Sequence, residues 1–234
     1  MMIPSSTRRG APATAARKRR LSSVALAASS GRLTEDWRQA AVLRVACNGT
    51  KARPGEATAP DLDNENLPDL PELPDSWRFS AVGRLCELVQ YGTSVKADAS
   101  PQKGVPILRM GNLQGGRIDT SDLKYIHPHA EDVPVFSLKR GDILFNRTNS
   151  PELVGKAAVY DSDAHAVFAS YLIRLRCKAD LIDGRIVSWW INSPWGRSWA
   201  RAVRTDGVSQ SNINASKLST LPVPVTDLSE QREI

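Results

Sequence analysis

Cysteine is scarce in this sequence, which has three among its 234 residues: Cys47, Cys86 and Cys177. None of them has the Cys-x-x-Cys spacing of a zinc site, and three isolated cysteines do not indicate a disulfide framework. Long apolar runs are also missing, because no stretch approaches the ~18 residues that a membrane-spanning helix requires. Unpaired thiols suit a reducing compartment, so we expect a cytoplasmic protein with no membrane segment and no structural zinc.

Signatures of catalysis are missing as well. Residues 154–157 contain the Gly-Lys pair of a phosphate-binding loop but lack its upstream glycine and its following Ser or Thr. There is no glycine-rich cofactor fingerprint, no Asn/Asp-Pro-Pro-aromatic methyltransferase motif, and no Ser or Cys in a nucleophile setting. His127 and His129 are close in sequence, but no acidic or cysteine residue with ligand spacing accompanies them. We therefore expect a protein that is not an enzyme and that holds no metal or cofactor.

The charge of the chain is distributed in three blocks. Residues 1–53 contain 11 Lys/Arg and 2 Asp/Glu, residues 54–76 contain 7 acids, no base and 5 prolines, and residues 77–234 contain 20 bases and 16 acids. Such blocks are typical of a basic arm, an extended acidic linker and a mildly basic globular domain. Because residues 21–28 and 35–47 have helical patterns, we divide the chain into a disordered basic arm (1–20), a helical segment (21–53), a linker (54–76) and a globular domain (77–226).

The globular domain has an α/β (α+β) pattern of short strands with a few helices. The predicted strands are residues 77–80, 89–91, 105–110, 125–126, 143–145, 157–160, 167–177 and 221–225. The predicted helices are residues 81–88, a short helix from Thr120 or Ser121, and residues 182–192 and 194–203, whose four tryptophans (Trp189, Trp190, Trp195 and Trp199) have the spacing of core residues. Residues 227–230 form a capping box, and we expect residues 227–234 to be the start of a truncated helix.

Residues 138–156, LKRGDILFNRTNSPELVGK, have the most informative pattern in the chain. The apolar residues 143–145 predict a buried strand. The four residues that follow it, Asn146, Arg147, Thr148 and Asn149, all have side chains that can donate or accept hydrogen bonds. A strand that ends in such a loop is suited to presenting donors to phosphates or base edges. The alternative interpretation is an ordinary turn between two strands.

Similar polar residues follow other predicted strands. They are Thr93, Ser94 and Lys96; Arg109 and Asn112; and Ser209, Gln210, Asn212, Asn214 and Lys217. Asn, Gln, Arg, Thr and Ser are the side chains that read adenine, guanine and phosphate, so four such groups in a mildly basic domain favour DNA recognition. The alternative is that these side chains cap their own backbone in solvated loops.

Seven segments carry a family resemblance: QYGTSVKA, VPILRMGNLQGGRID, SDLKYI, LKRGDILFNRTNSPELVGKAAVY, FASYLIRLR, SQSNINASKL and LPVPVTDLSEQREI. In this order, residues 73–234 resemble one target-recognition domain of a type I restriction–modification specificity subunit. Residues 30–38, SGRLTEDWR, resemble the end of the helical spacer that precedes a second such domain. The resemblance implies one globular target-recognition domain with a twisted mixed sheet, flanked by remnants of coiled-coil spacer helices.

The resemblance also implies a function. Such a domain would read one half of a bipartite site in double-stranded DNA and direct modification and restriction subunits, which would bind S-adenosylmethionine, ATP and Mg²⁺. Because members of the family carry two recognition domains and this chain has one, a second half-subunit or a homodimer would complete the site. Stretches like residues 138–150 occur in members with different targets, so we expect phosphate contacts there and base readers in other loops. The alternative is a truncated fragment that binds other subunits without DNA.

Overall fold

The computed structural model describes residues 70–99 and 104–234. The predicted basic arm (1–20), the predicted helical spacer segment (21–53) and most of the predicted linker (54–76) lie outside the described residues. The resemblance to paired spacer helices also predicts that residues 35–47 lie near the C-terminal helix. Residues 35–47 are likewise outside the described residues.

The described residues form 14 strands and 6 α-helices. The strands are β1 (Arg78–Ala81), β2 (Cys86–Tyr91), β3 (Val105–Leu108), β4 (Leu113–Gln114), β5 (Arg117–Ile118), β6 (Lys124–Ile126), β7 (Ile143–Asn146), β8 (Thr148–Asn149), β9 (Ala157–Val159), β10 (Val167–Phe168), β11 (Leu172–Cys177), β12 (Thr205–Asp206), β13 (Ser211–Asn212) and β14 (Pro222–Val225). The helices are α1 (Val82–Leu85), α2 (Asp132–Phe136), α3 (Gly184–Asn192), α4 (Pro194–Val203), α5 (Ala215–Ser219) and α6 (Leu228–Gln231), and Met110–Asn112 form a 3₁₀ turn.

Three predicted elements were wrong in whole or in part. The predicted helix 81–88 is helical only over Val82–Leu85, because residues 86–88 belong to β2. The predicted strand 167–177 is two strands, because residues 169–171 form a turn in which Ser170 N donates to Thr93 O (2.8 Å) and Leu172 N donates to Ala169 O (2.9 Å). The predicted helix at Thr120 or Ser121 is absent from the described residues: Ser121 N donates to the Asp119 carboxylate (2.9 Å), a local bond that competes with helix formation.

The strands form five sheets, one of which is mixed. The central sheet has the order β2-β11-β7-β9, and every neighbouring pair in it is antiparallel. A smaller sheet, β10-β3-β6, is mixed, since β10 pairs with β3 in parallel and β6 pairs with β3 antiparallel. The others are β12-β13-β8, β4-β5 and β1-β14. The α/β class and the mixed sheet were therefore predicted correctly.

Strand β7 is buried on both of its faces, which explains the unbroken apolar run that predicted it. Ile143 and Phe145 belong to a core with α3 and α4, whereas Leu144 belongs to a second core on the opposite face with Leu108 and Phe168. Successive side chains of a strand point to opposite faces, so both faces must be apolar when both are covered. The central sheet is thus the middle layer of the domain.

Helices α3 and α4 begin at the side-chain caps of Asp183 and Ser193, and they cover one face of this sheet. Trp190 and Trp199 are buried, as their spacing predicted, and Trp195 stacks on Trp190 with ring centroids 5.5 Å apart. The Trp190 Nε1 donates to Pro222 O (2.5 Å), which connects α3 to β14. This bond positions the terminal strand pair β1-β14 against the main core.

Gly92 allows the central sheet to approach strand β10. A Cβ atom at this position would lie 2.3 Å from Phe168 O and 2.4 Å from Ala169 O, so any other residue would displace the backbone. The close approach lets Thr93 N donate to Phe168 O (2.9 Å) and connects the end of β2 to the neighbouring mixed sheet.

Cys86 and Cys177 lie opposite each other on β2 and β11, with their Sγ atoms 4.0 Å apart. Both are free thiols, and their separation of 91 residues did not predict that they would be neighbours. The contact with Cys86 and burial both raise the pKa of the Cys177 thiol, which favours its protonated form.

A buried ion cluster fixes the start of β7. The Asp142 side chain is 1% exposed and accepts two bonds from the Arg176 guanidinium (2.7 and 2.8 Å) and one from Lys139 N (2.9 Å). Arg174 lies 3.6 Å from the same carboxylate, and its own guanidinium donates to Ser137 O (2.7 Å). The charges are therefore paired and hydrogen-bonded, which is the condition for their burial.

We expect Asp142→Ala to lower the free energy of unfolding of the chain by about 3–5 kcal/mol, because it leaves buried arginine charges without their partner. The measurement is urea denaturation at neutral pH. The matched control is Asp161→Ala, which removes another Asp–Arg pair whose carboxylate is 78% exposed, and it should cost at most about 1 kcal/mol. Equal losses in the two variants would show that the Asp142 cluster does not stabilise the fold.

Candidate nucleic-acid interface

Two groups of predicted site residues follow strands that end at one edge of the central sheet, whereas Arg109 and Asn112 follow β3 of the mixed sheet. Strand β2 ends at Tyr91 and β7 ends at Asn146, and both pair antiparallel with β11, which begins at Leu172. The ends of β2 and β7 therefore lie beside the start of β11, so the loops 92–96, 147–150 and 169–171 emerge together. We refer to this part of the molecule, together with residues 205–217, as the loop edge.

Arg147 connects the loops of this edge. Its guanidinium carbon lies 4.7 Å from the centroid of the Tyr91 ring, and its Nη1 donates to Ser170 O (3.3 Å). Its backbone N donates to Tyr171 O (3.1 Å), and its carbonyl accepts from Ile213 N (2.9 Å). The side chain is half-buried, so the guanidinium is held in a cation–π contact while part of it reaches the surface.

The segment 205–212 is a β-hairpin with an exposed tip, where the sequence predicted a polar loop. Strands β12 and β13 pair with each other, and β13 also pairs with β8, so that Ser211 lies opposite Asn149 and Asn212 opposite Thr148. Asn212 Nδ2 donates to Thr148 Oγ1 (2.8 Å). Two separate groups of predicted site residues, 148–149 and 209–212, are thus brought into one small sheet.

Asn214 and Lys217 support this hairpin from α5. Asn214 Oδ1 accepts from Lys217 N (2.8 Å) and caps the helix. The Lys217 ammonium donates to Val203 O (2.6 Å) and Thr205 Oγ1 (2.9 Å). Ala215 N donates to the Tyr91 hydroxyl (2.8 Å), which connects α5 to the ring that Arg147 contacts.

Three predicted site residues are buried, and they hold loops in place. Thr93 is 2% exposed and donates to the Asp132 carboxylate, and Asn146 is 0% exposed and donates to Leu153 O (3.3 Å). Asn112 is 3% exposed: its Oδ1 accepts from Arg109 N (2.8 Å), and its Nδ2 donates to Asp119 O (2.9 Å) and Asp122 O (3.0 Å). In this structure these side chains form hydrogen bonds to neighbouring loops and are not exposed to a ligand.

The remaining predicted site residues differ in whether their side chains have an ion-pair or hydrogen-bond partner. Arg109 forms an ion pair with Asp122 (3.0 Å). Ser94, Lys96, Ser209 and Gln210 are exposed, and within the described residues their side chains have no recorded partner. These four, with Arg147, are the predicted residues that are best placed to contact a ligand.

Three surface residues of the loop edge were not predicted from the sequence. Tyr91 is 39% exposed, Tyr171 is 47% exposed, and Val208 at the hairpin tip is fully exposed. Tyr91 was assigned only to a strand, and Tyr171 fell within the strand 167–177 that is in fact broken by a turn. A tyrosine at a strand position is typical of a core, so no local signal distinguished Tyr91 and Tyr171.

The interface is not built around a pocket. A groove of about 780 Å³ lies between β5, residues 160–166 and the start of α3, and none of the predicted site residues lines it. The described residues contain no group of three or more His, Cys, Asp and Glu arranged to hold a metal. Within the same residues, no helix has the length and apolarity needed to span a bilayer.

No family model matches the chain. Among curated proteins, it is 26% identical over 174 residues to the putative type I restriction enzyme MjaX specificity subunit of Methanocaldococcus jannaschii, which covers 74% of this chain and 41% of that protein. It is 27% identical over 135 residues to the type I restriction enzyme EcoKI specificity subunit of Escherichia coli, which covers 56% of this chain and 29% of that protein.

Among solved structures, the chain superposes with a TM-score of 0.52 on a chain from a structure that addresses complex assembly and conformational transition of the type I R-M system. The identity is 16%, and the match covers 94% of this chain and 48% of that chain. This similarity shows a common fold. The chain spans less than half of the length of the curated relatives and of this solved chain.

The predicted resemblance to type I restriction–modification specificity subunits is therefore confirmed, and so is the α/β fold that it implied. The curated relatives named here are specificity subunits, the class that the sequence resembles.

Substitution of a buried amide and of an exposed amide should affect stability differently. Asn112→Ala should lower the free energy of unfolding by about 1–3 kcal/mol, since it removes the acceptor of Arg109 N and the donor to Asp119 O, while Asp122 O keeps its bond from the Arg109 guanidinium (3.1 Å). Gln210→Ala should change it by less than about 0.5 kcal/mol, because the side chain is exposed. Urea denaturation of both variants is the measurement, and a neutral Asn112→Ala would contradict the supporting role of Asn112.

Proposed function

We propose that this chain binds double-stranded DNA sequence-specifically, as a half-length specificity subunit that directs the modification and restriction subunits of a type I system. The similarity to specificity subunits supports the class of function. The observation that carries the proposal for this chain is the loop edge, where four separate segments of polar and basic residues meet around the Arg147–Tyr91 contact. Such a surface offers phosphate contacts and base-edge contacts side by side.

The proposal assigns different roles to this chain and to its partner subunits. The chain would supply recognition without a cofactor of its own, and methyl transfer from S-adenosylmethionine and cleavage that uses ATP and Mg²⁺ would belong to the partner subunits. We propose that the domain in residues 70–234 reads one half of a bipartite site, and that a second half-subunit or a second copy of the chain reads the other half. We place this assembly in the cytoplasm, where its DNA target and partner subunits would be.

The test of this proposal is selection of duplexes from a random-sequence library. The full chain is co-expressed with a type I modification subunit, purified and incubated with the library at a fixed salt concentration, because affinity for DNA depends on salt. We expect one short sequence element to be enriched. Co-purification without enrichment of any sequence would instead assign the chain to subunit binding alone and would refute DNA recognition.

Arg147 should contribute directly to this binding. If it bridges a base, Arg147→Ala will reduce discrimination against the wrong base by about 1–3 kcal/mol, and if it meets a phosphate, the slope of log affinity against log salt will fall by about one unit. Arg147→Lys separates the two cases, because it keeps the charge but not the paired donors of a guanidinium. Titrations of the selected duplex at several salt concentrations measure both quantities.

The matched control is Arg140→Ala. Arg140 precedes the start of β7, whereas Arg147 follows its end, so the two arginines lie at opposite ends of one strand. Arg140 is already paired with Asp161 and Asp163. Its removal should leave both the discrimination and the salt slope unchanged. An equal effect of the two substitutions would mean that Arg147 acts only through net charge.

A further inference from the structure

Val208 is the most exposed large apolar residue among those that the structure describes. Its relative exposure is 109%, whereas the other exposed large apolar side chains range from 39% to 53%. It lies at the tip of the β12–β13 hairpin, within the four-residue turn 207–210. Such a side chain buries no apolar surface within the folded chain, so it is free to bury that surface against a ligand.

The hairpin that carries Val208 is held firmly at its base. Asp206 pairs with Arg204 (2.8 Å) and accepts a bond from the Ser211 hydroxyl. The Ser211 bond first, and then Arg204, keep the pKa of Asp206 below its usual range, so this carboxylate is ionised at neutral pH. Lys217 holds Thr205 from the other side (2.9 Å).

The tip is closed by one backbone bond. Gly207 N donates to Gln210 O (2.8 Å), which leaves the side chains of Val208, Ser209 and Gln210 at the surface. The hairpin is therefore a short, braced two-stranded ribbon that projects one apolar and two polar side chains from the loop edge. A two-stranded β-ribbon is an element that fits the major groove of B-DNA.

The chemistry of the tip matches one base pair better than the others. In the major groove, thymine is distinguished by its 5-methyl group and adenine by the donor–acceptor pair N6 and N7. Gln pairs bidentately with the adenine edge, and an apolar side chain contacts the thymine methyl. No basic side chain is present at positions 207–210 to pair with guanine O6 and N7.

We propose that the β12–β13 hairpin enters the major groove and reads an adenine–thymine element, with Val208 against a thymine methyl group and Gln210 on an adenine edge. This inference rests on the proposed function, because it presupposes that the chain selects a DNA sequence. Beyond the proposed function, it names the β12–β13 hairpin as the element that enters the groove and adenine–thymine as the class of base pair that is read. It also names Val208 as a specificity-determining residue that the sequence did not indicate.

The test uses the full chain and the duplex selected above, with each thymine replaced singly by deoxyuridine, which removes only the methyl group. For the unmodified chain, we expect one replacement to weaken binding about threefold to fivefold, the effect of one buried methyl group. Val208→Ala should weaken binding to the thymine duplex by a similar factor. In that variant the same deoxyuridine replacement should have no further effect.

Gln210 is tested in the same way with 7-deazaadenine, which lacks the N7 acceptor. One replacement should weaken binding roughly threefold to tenfold in the unmodified chain and should have no effect in Gln210→Ala. The matched control is Val135→Ala, which shortens another exposed valine, 53% exposed on α2, and should leave affinity unchanged. Unchanged urea denaturation of each variant excludes loss of folding as the cause.

The outcomes separate this inference from the proposed function. If no sequence is selected, the proposed function fails, and this inference fails with it. If a sequence is selected but no thymine is sensitive to loss of its methyl group, or the sensitivity persists in Val208→Ala, only the inference about the hairpin is overturned. Loss of the co-purified modification subunit from Val208→Ala, with DNA selectivity intact, would also overturn it and would assign the tip to a protein contact.

Discussion

The buried pairing of Asp142 with Arg176 and Arg174 is the constraint on which the central sheet depends. A carboxylate and two guanidinium groups are removed from water at the point where β7 begins and β11 ends. Ions are stable there only while they remain paired and hydrogen-bonded, so the start of β7 has a single acceptable position relative to β11. A shift of register by one residue would separate the charges and would also turn the apolar side chains of β7 to the wrong faces.

Because the start of β7 is fixed, the position of its other end in the sheet is fixed as well. The strand is four residues long and fully buried, so an anchor at Asp142 fixes where Asn146 and Arg147 leave the sheet. Contacts of Arg147 with Tyr91, Ser170 and Ile213 then align three further segments of chain at that edge. A rigid scaffold that ends in polar loops is a common arrangement for recognition, because the loops can vary while the scaffold keeps their spacing.

Among the predicted site residues, similar side chains have different tasks. Asn112 and Asn146 are buried and hold loops closed, Asn214 caps a helix, and Asn212 bonds Thr148 across two strands. Gln210 and Lys96 extend from the surface. The buried amides give the loops their shape, and the exposed side chains are left to contact a partner. The interface is thus a small exposed set on a larger hydrogen-bonded support.

The sequence by itself determined the strand 143–145, the helix 194–203, the helix cap at Asp227 and the location of the polar groups after the strands, because each depends on local periodicity or on capping chemistry. It did not determine the break at residues 169–171, which is caused by bonds between Thr93 and residues far along the chain. It also could not distinguish Asn112 from Gln210, since both are amides in polar segments between predicted elements. Only the tertiary structure decided which of them is exposed, because burial depends on the segments that pack around a side chain and not on its own neighbours in sequence.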